Sequence, residues 1–131
     1  MSDPLIDKAI ALRTQLHLIE SQDNLLYDEI KFSEKALMAS LEKACHICVD
    51  MGIYFLKQRN WTSSGETHAV FDTLVQKRII DKSLSRRLLS LISYGKMLTH
   101  ATQLKGRHFY VRLRPRQIKD LHTFTQNLLL S

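Results

Sequence analysis

The sequence predicts an all-α protein: a single domain over residues 1–131, built as an up-and-down bundle of four to five helices. Three observations lead there. Apolar residues recur at alternating steps of four and three along several stretches, the spacing of one buried helix face. Helix breakers are scarce, with four glycines and two prolines in 131 residues. Hydrophobic residues make up 44%, enough for a chain of this length to bury a substantial core.

The first helix starts at Asp3-Pro4, because an aspartate accepts the first unpaired amides and a proline at the first helical position loses no donor that is needed. Leu5, Ala9, Leu12, Leu16 and Ile19 form its seam, with Lys8, Arg13 and Gln15 off it. Ser21-Gln22-Asp23-Asn24 is polar and reads as a turn or a kink. From Ser33 runs the longest helix, with Leu37, Leu41, Cys45, Cys48, Gly52 and Phe55 along one face and Glu34, Lys35, Glu42 and Lys43 largely away from it. His46 reads as a partly exposed structural residue, and Asp50 as a carboxylate in an apolar neighbourhood that must find hydrogen-bond partners.

Arg59 to Gly65 has the residues of a loop, and Ser63 with Glu66 three positions later is a capping-box signature for a short helix running to about Arg78. Phe71, Leu74 and Val75 form its apolar face, Trp61 staples the loop to the bundle, and His68 lies on the surface. Asp81 or Ser83 caps the next helix, where Arg86 and Arg87 are either solvated or line a positive groove. Its buried stripe is Leu84, Leu88, Leu91 and Leu98, with Gly95 filling the gap. Gln103 to Lys119 then holds six Lys and Arg and no acidic residue. Alternation of Phe109, Val111 and Leu113 with His108, Tyr110, Arg112 and Arg114 predicts a short extended or hairpin segment. Pro115 opens the last helix, with Ile118, Leu121, Phe124, Leu128 and Leu129 inward.

A formal charge of +6 suits an acidic partner such as RNA. Lys105, Arg107, Arg112, Arg114 and Arg116 are the candidate nucleic-acid contacts. No run reaches the length of a membrane span and the amino terminus lacks a signal-peptide pattern, so the expectation is a cytoplasmic protein. Cys45 and Cys48 lack a second Cys or His pair at zinc-ribbon spacing and read as buried thiols. No phosphate-binding glycine loop, serine-hydrolase elbow or zinc-protease pattern is present. Neither a metal nor a cofactor is expected.

The best chemical candidate is Lys96 with His100, since residues four apart on a helix point to one spot. The stretch around them also carries a resemblance. From about Ser33 to Leu130 the order of Val49-Asp50-Met51-Gly52, Phe71-x-x-Leu74, Arg78-Ile79-Ile80-Asp81 and Tyr94-Gly95-Lys96-Met97-Leu98-Thr99-His100-Ala101-Thr102 resembles the HepT-like branch of the HEPN superfamily. There the last motif is Phe-Arg-Asn-x-Leu-Val-His-x-Tyr. His100 matches the family histidine, whereas Gly95 stands at the arginine and Thr102 at the tyrosine.

The resemblance implies a HEPN-like helical homodimer whose two Arg-x4-6-His motifs line one cleft and cleave RNA without metal, the 2′-hydroxyl attacking the adjacent phosphate. It also implies a nucleotidyltransferase-like antitoxin, which in some members adds AMP to the motif tyrosine. Such chemistry needs a general acid or base, for which His100 is the candidate, and a fixed cation for the charge developing on phosphate. Gly95 has no charge, and Lys96 offers a flexible point charge instead of a planar clamp. Arg116-x5-His122 fits the loose family spacing, but on a regular helix the two side chains stand about 120° apart. Two classes of function follow. One is a HEPN-like toxin–antitoxin or defence module with a degenerate motif that binds RNA or a partner. The other is an active endoribonuclease toxin in which His100 works with a substitute cation.

Overall fold

The computed structural model describes residues 3–22, 30–61, 64–105 and 115–131. They form five helices, α1 (Pro4–Gln22), α2 (Ile30–Gln58), α3 (Thr67–Gln76), α4 (Lys82–Lys105) and α5 (Pro115–Leu130). No strand occurs among the described residues, and the fold is an all-α bundle. α2 packs against each of the other four helices.

Local chemistry sets the ends. The Leu5 amide donates to Asp3 Oδ1 at 2.9 Å, and the Leu84 amide donates to Asp81 Oδ1 at 2.6 Å, so Asp81 caps α4 and Ser83 does not. α2 and α3 both stop in a left-handed residue that is not glycine, Asn60 at φ 55 and Arg78 at φ 59. In each case two amides turn back onto the last carbonyls: Asn60 and Trp61 onto Lys57 and Leu56, Arg78 and Ile79 onto Val75 and Leu74. This is the pattern that closes a helix with a reversed turn.

The seams of four-and-three spacing form the core. Leu5, Ala9, Leu12, Leu16 and Ile19 are buried, as are Leu41, Cys45, Cys48 and Phe55 of α2 and Leu84, Leu88 and Leu91 of α4. Phe71 and Phe124 stack with ring centroids 5.5 Å apart. At Gly52 α3 closely approaches α2, since a methyl group there would lie 2.8 Å from Val70 Cγ1. Helix directions follow from paired positions. Gly52 faces Phe124 and Arg59 Nη2 donates to Ser131 O, so α5 runs with α2. Gly95 faces Leu41 and Cys45 while Arg87, earlier in α4, pairs with Asp120, one turn before the Phe124 that faces Gly52, so α4 runs against both.

Several expectations need correction. α2 begins at Ile30, ahead of Ser33. α3 begins at Thr67 with Glu66 itself as the capping residue and no side-chain cap. Glu66 therefore sits too early to close a capping box, and its amide instead faces Ser64 Oγ at 3.5 Å. α3 ends at Gln76. Leu129 is 42% exposed, because it stands about 100° round the helix from the buried Leu128. Residues 103–105 continue α4 instead of opening an extended segment. The rest of that segment, 106–114, lies outside the described residues.

Candidate functional site

Lys96 and His100 are both exposed on α4, and at four residues apart they share one face. Gly95 is buried and turned towards α2, with Cys45 Sγ 3.7 Å and Leu41 Cγ 3.8 Å from where its Cβ would be. A step of five residues rotates the helix by about 140° relative to His100. The glycine and the histidine of the motif therefore look in different directions, and Lys96 stands at the edge between them.

That edge borders a cavity of about 340 Å³ between α2 and α4. Its floor is Cys45, Val49, Ile53, Ile92 and Gly95, and its rim carries Glu42, His46 and Asp50 on α2 opposite Lys96 on α4. His46 Nε2 lies 3.6 Å from Asp50 Oδ2, so the half-buried Asp50 has its partner one turn back on the same helix. Burial pushes the Cys45 thiol up to about 12 against the opposing pull of Lys96, and burial raises Cys48 as well. Both are free thiols and neither is a nucleophile at neutral pH. Among the described residues no three His, Cys, Asp or Glu side chains converge as metal ligands would.

Arg87, the arginine of α4 nearest in sequence to His100, is tied to a different residue. Its Nε donates to Asp120 Oδ2 at 2.9 Å and its Nη2 to Asp120 Oδ1 at 3.2 Å. The Asp120 side chain is 9% exposed. A third bond runs from Nη1 to Ser83 Oγ at 2.6 Å, and the fork of hydrogen bonds holds the guanidinium charge, raising its pKa. This strut fixes the register of two antiparallel helices. Arg116, exposed in the first turn of α5, is level with about residue 91 of α4 and stops about 13 Å short of His100 along the axis. His122 Nε2 lies 3.5 Å from Glu20 Oε1 of α1, which gives that histidine a role between helices, apart from Arg116.

Of the sequence-predicted site, then, Lys96 and His100 lie on one helix at a spacing that gives them a common face, and Arg116 lies on another helix, in the first turn of α5. Lys105 closes α4 with its side chain outside the described set, and Arg107, Arg112 and Arg114 lie outside the described residues altogether. The sequence reading missed the acidic rim opposite Lys96 and the Arg87–Asp120 strut. The signal for the strut was present: Asp120 is one turn before Phe124, on the apolar flank of α5, where a carboxylate requires a counter-charge.

No family model and no curated protein matches the chain. Among solved structures, the chain is similar to one in the crystal structure of a tyrosine-to-alanine mutant of the toxin–antitoxin MntA-HpeT. The two are 15% identical, the match covers 98% of this chain and 100% of that one, and the TM-score is 0.74. At that identity the likeness is one of fold, carried across the whole length: the chain has the helical architecture of a protein from a toxin–antitoxin pair.

Proposed function

We propose that the chain is a HEPN-like module of a toxin–antitoxin or defence type system, acting in the cytoplasm as a homodimer, that binds RNA or a nucleotidyltransferase-like antitoxin through a catalytically silent motif. The observation that carries the reading is position 95. Where the HEPN-like motif places its arginine, this chain has a buried glycine facing α2, where an added Cβ would lie 3.7 Å from Cys45 Sγ and 3.8 Å from Leu41 Cγ. Among the described residues the cation sharing a helix face with His100 is Lys96, at the edge of a groove, and removal of a fixed donor from a charge-stabilising site typically slows a reaction by about a hundredfold or more. The full-length likeness to a chain of a toxin–antitoxin pair supports the module class.

Binding without cleavage is the expected behaviour. Labelled RNA should be retarded at low salt and recovered intact, and neutralising Arg107, Arg112 and Arg114 should weaken the retardation and flatten its salt dependence. Absence of retardation at low salt would remove RNA from the proposal and leave the protein partner. A second reading, an active metal-independent endoribonuclease, draws support from the shared face of Lys96 and His100, which places a base and a cation one turn apart.

A further inference from the structure

From Thr73 to Lys119 the chain carries a single carboxylate, Asp81, against twelve Lys and Arg. Part of this charge gathers at the end of the bundle where α2 and α3 finish and α4 begins, the opposite end of α4 from His100. Trp61, half-buried, stacks at a tilt on Phe55 with centroids 6.2 Å apart. The Lys77 ammonium lies 5.1 Å from its ring centroid, and the Arg59 guanidinium lies 5.9 Å from it. Arg78 and Lys82 follow Lys77 within five residues and are exposed, no more than about 17 Å away along the chain.

Two of these cations sit where helix chemistry disfavours them. Lys77, at the carboxyl end of α3, is accounted for by the helix dipole. Lys82, at the amino end of α4, is opposed by the dipole there. Arg78 occupies a left-handed position that suits glycine. Asp81, the carboxylate between Arg78 and Lys82 in sequence, is engaged in capping Leu84.

We propose that this corner binds single-stranded nucleic acid, with phosphates on Lys77, Arg78 and Lys82 and one base on the solvent-facing side of Trp61. Cations around an accessible aromatic ring are what a flexible polyanion with stacking bases requires. In the free chain Lys77 covers the ring; a base arriving at that face displaces the flexible ammonium towards the phosphate. The inference rests on the RNA-binding part of the proposed function but places a contact surface well away from the Lys105–Lys119 segment.

Trp61 is the chain's one tryptophan, so its emission reports this corner and no other. The experiment titrates the full chain with dye-labelled RNA and DNA oligomers of about 12 nucleotides, within the usual span of a single-strand site. Anisotropy reads total binding and Trp61 emission reads the corner. The comparison variant combines Lys77→Gln, Arg78→Gly and Lys82→Gln; the glycine suits the backbone at 78, so loss of binding will not reflect loss of folding. The expected result is quenching of Trp61 with the anisotropy rise. In the variant, binding weakens by about tenfold or more and the salt dependence is shallower by about two, at roughly 0.7 per lost phosphate contact. Equal response to RNA and DNA supports the shared single-strand chemistry, and a response to RNA alone narrows it to RNA. Binding that leaves Trp61 emission unchanged and survives in the variant would overturn this site while sparing RNA binding elsewhere. No anisotropy change at low salt would overturn both, as would a Trp61 response confined to anionic lipid vesicles.

Discussion

Gly52 and Gly95 both lie inside long helices, and replacing either by alanine should have opposite consequences. Helix propensity favours alanine over glycine by about 1 kcal/mol at each site. At Gly95 the new methyl would meet Cys45 Sγ at 3.7 Å and Leu41 Cγ at 3.8 Å, ordinary contacts that add attraction and force nothing to move. Gly95→Ala should therefore stabilise by about 1 kcal/mol. With an unfolding entropy of about 0.28 kcal/mol/K for 131 residues, that raises Tm by roughly 3–4 °C. At Gly52 the methyl would lie 2.8 Å from Val70 Cγ1. Val70 is fully buried and β-branched, with one strongly preferred rotamer in a helix, so α3 must shift. Overpacking of that kind costs about 1–3 kcal/mol, which offsets or exceeds the propensity gain and leaves Gly52→Ala neutral to about 2 kcal/mol less stable. Circular dichroism at the helix minimum, during thermal and urea unfolding, measures both. Equal stabilisation of the two variants would refute the close approach of α2 and α3. A destabilised Gly95→Ala would mean that the glycine serves internal packing and is not a substitution the site tolerates.

Three further predictions concern chemistry elsewhere. The buried Cys45 and Cys48 thiols should resist a thiol reagent at neutral pH until the chain unfolds. Because folding raises Cys45 from 9.0 to about 12, the unfolded thiol ionises first as pH rises above about 9. Stability is then lost across that window, and Cys45→Ala should flatten the alkaline decline. For the α4–α5 strut, Arg87→Met leaves the nearly buried Asp120 carboxylate without its counter-charge. It should lower the urea midpoint more than Asp120→Asn, which leaves a guanidinium able to reach water, and the double variant should recover part of the loss. Sedimentation should show a dimer at tens of micromolar, roughly the range of ordinary specific association; a monomer there would refute the homodimer.

Much of the architecture was legible because local rules agree with the global fold. The seams at Leu5 to Ile19 and Leu84 to Leu91 are buried as their spacing predicts, and Asp3 and Asp81 cap the helices they precede. Local rules failed where two local signals competed or where partners are distant in sequence. Glu66 fits a capping box by spacing, yet it is the residue that enters α3. Arg87 and Asp120 are 33 residues apart, and periodicity holds no information about which arginine a buried carboxylate will choose. The candidate site was half legible. Helix spacing alone puts Lys96 and His100 on one face, whereas the two carboxylates Glu42 and Asp50 on the rim facing Lys96 depend on how α2 and α4 are set against each other, which no spacing along one helix encodes.

The claim that position 95 leaves the motif silent is tested most directly by incubating a mixed RNA pool with the chain in the absence of divalent metal, beside His100→Ala and Gly95→Arg. RNA should stay intact with the chain as it stands and with His100→Ala; Gly95→Arg, whose side chain would leave through the groove past Cys45 and Lys96, is the one change expected to permit cleavage. Cleavage by the unsubstituted chain that disappears in His100→Ala would contradict a silent motif and establish His100 as a catalytic residue.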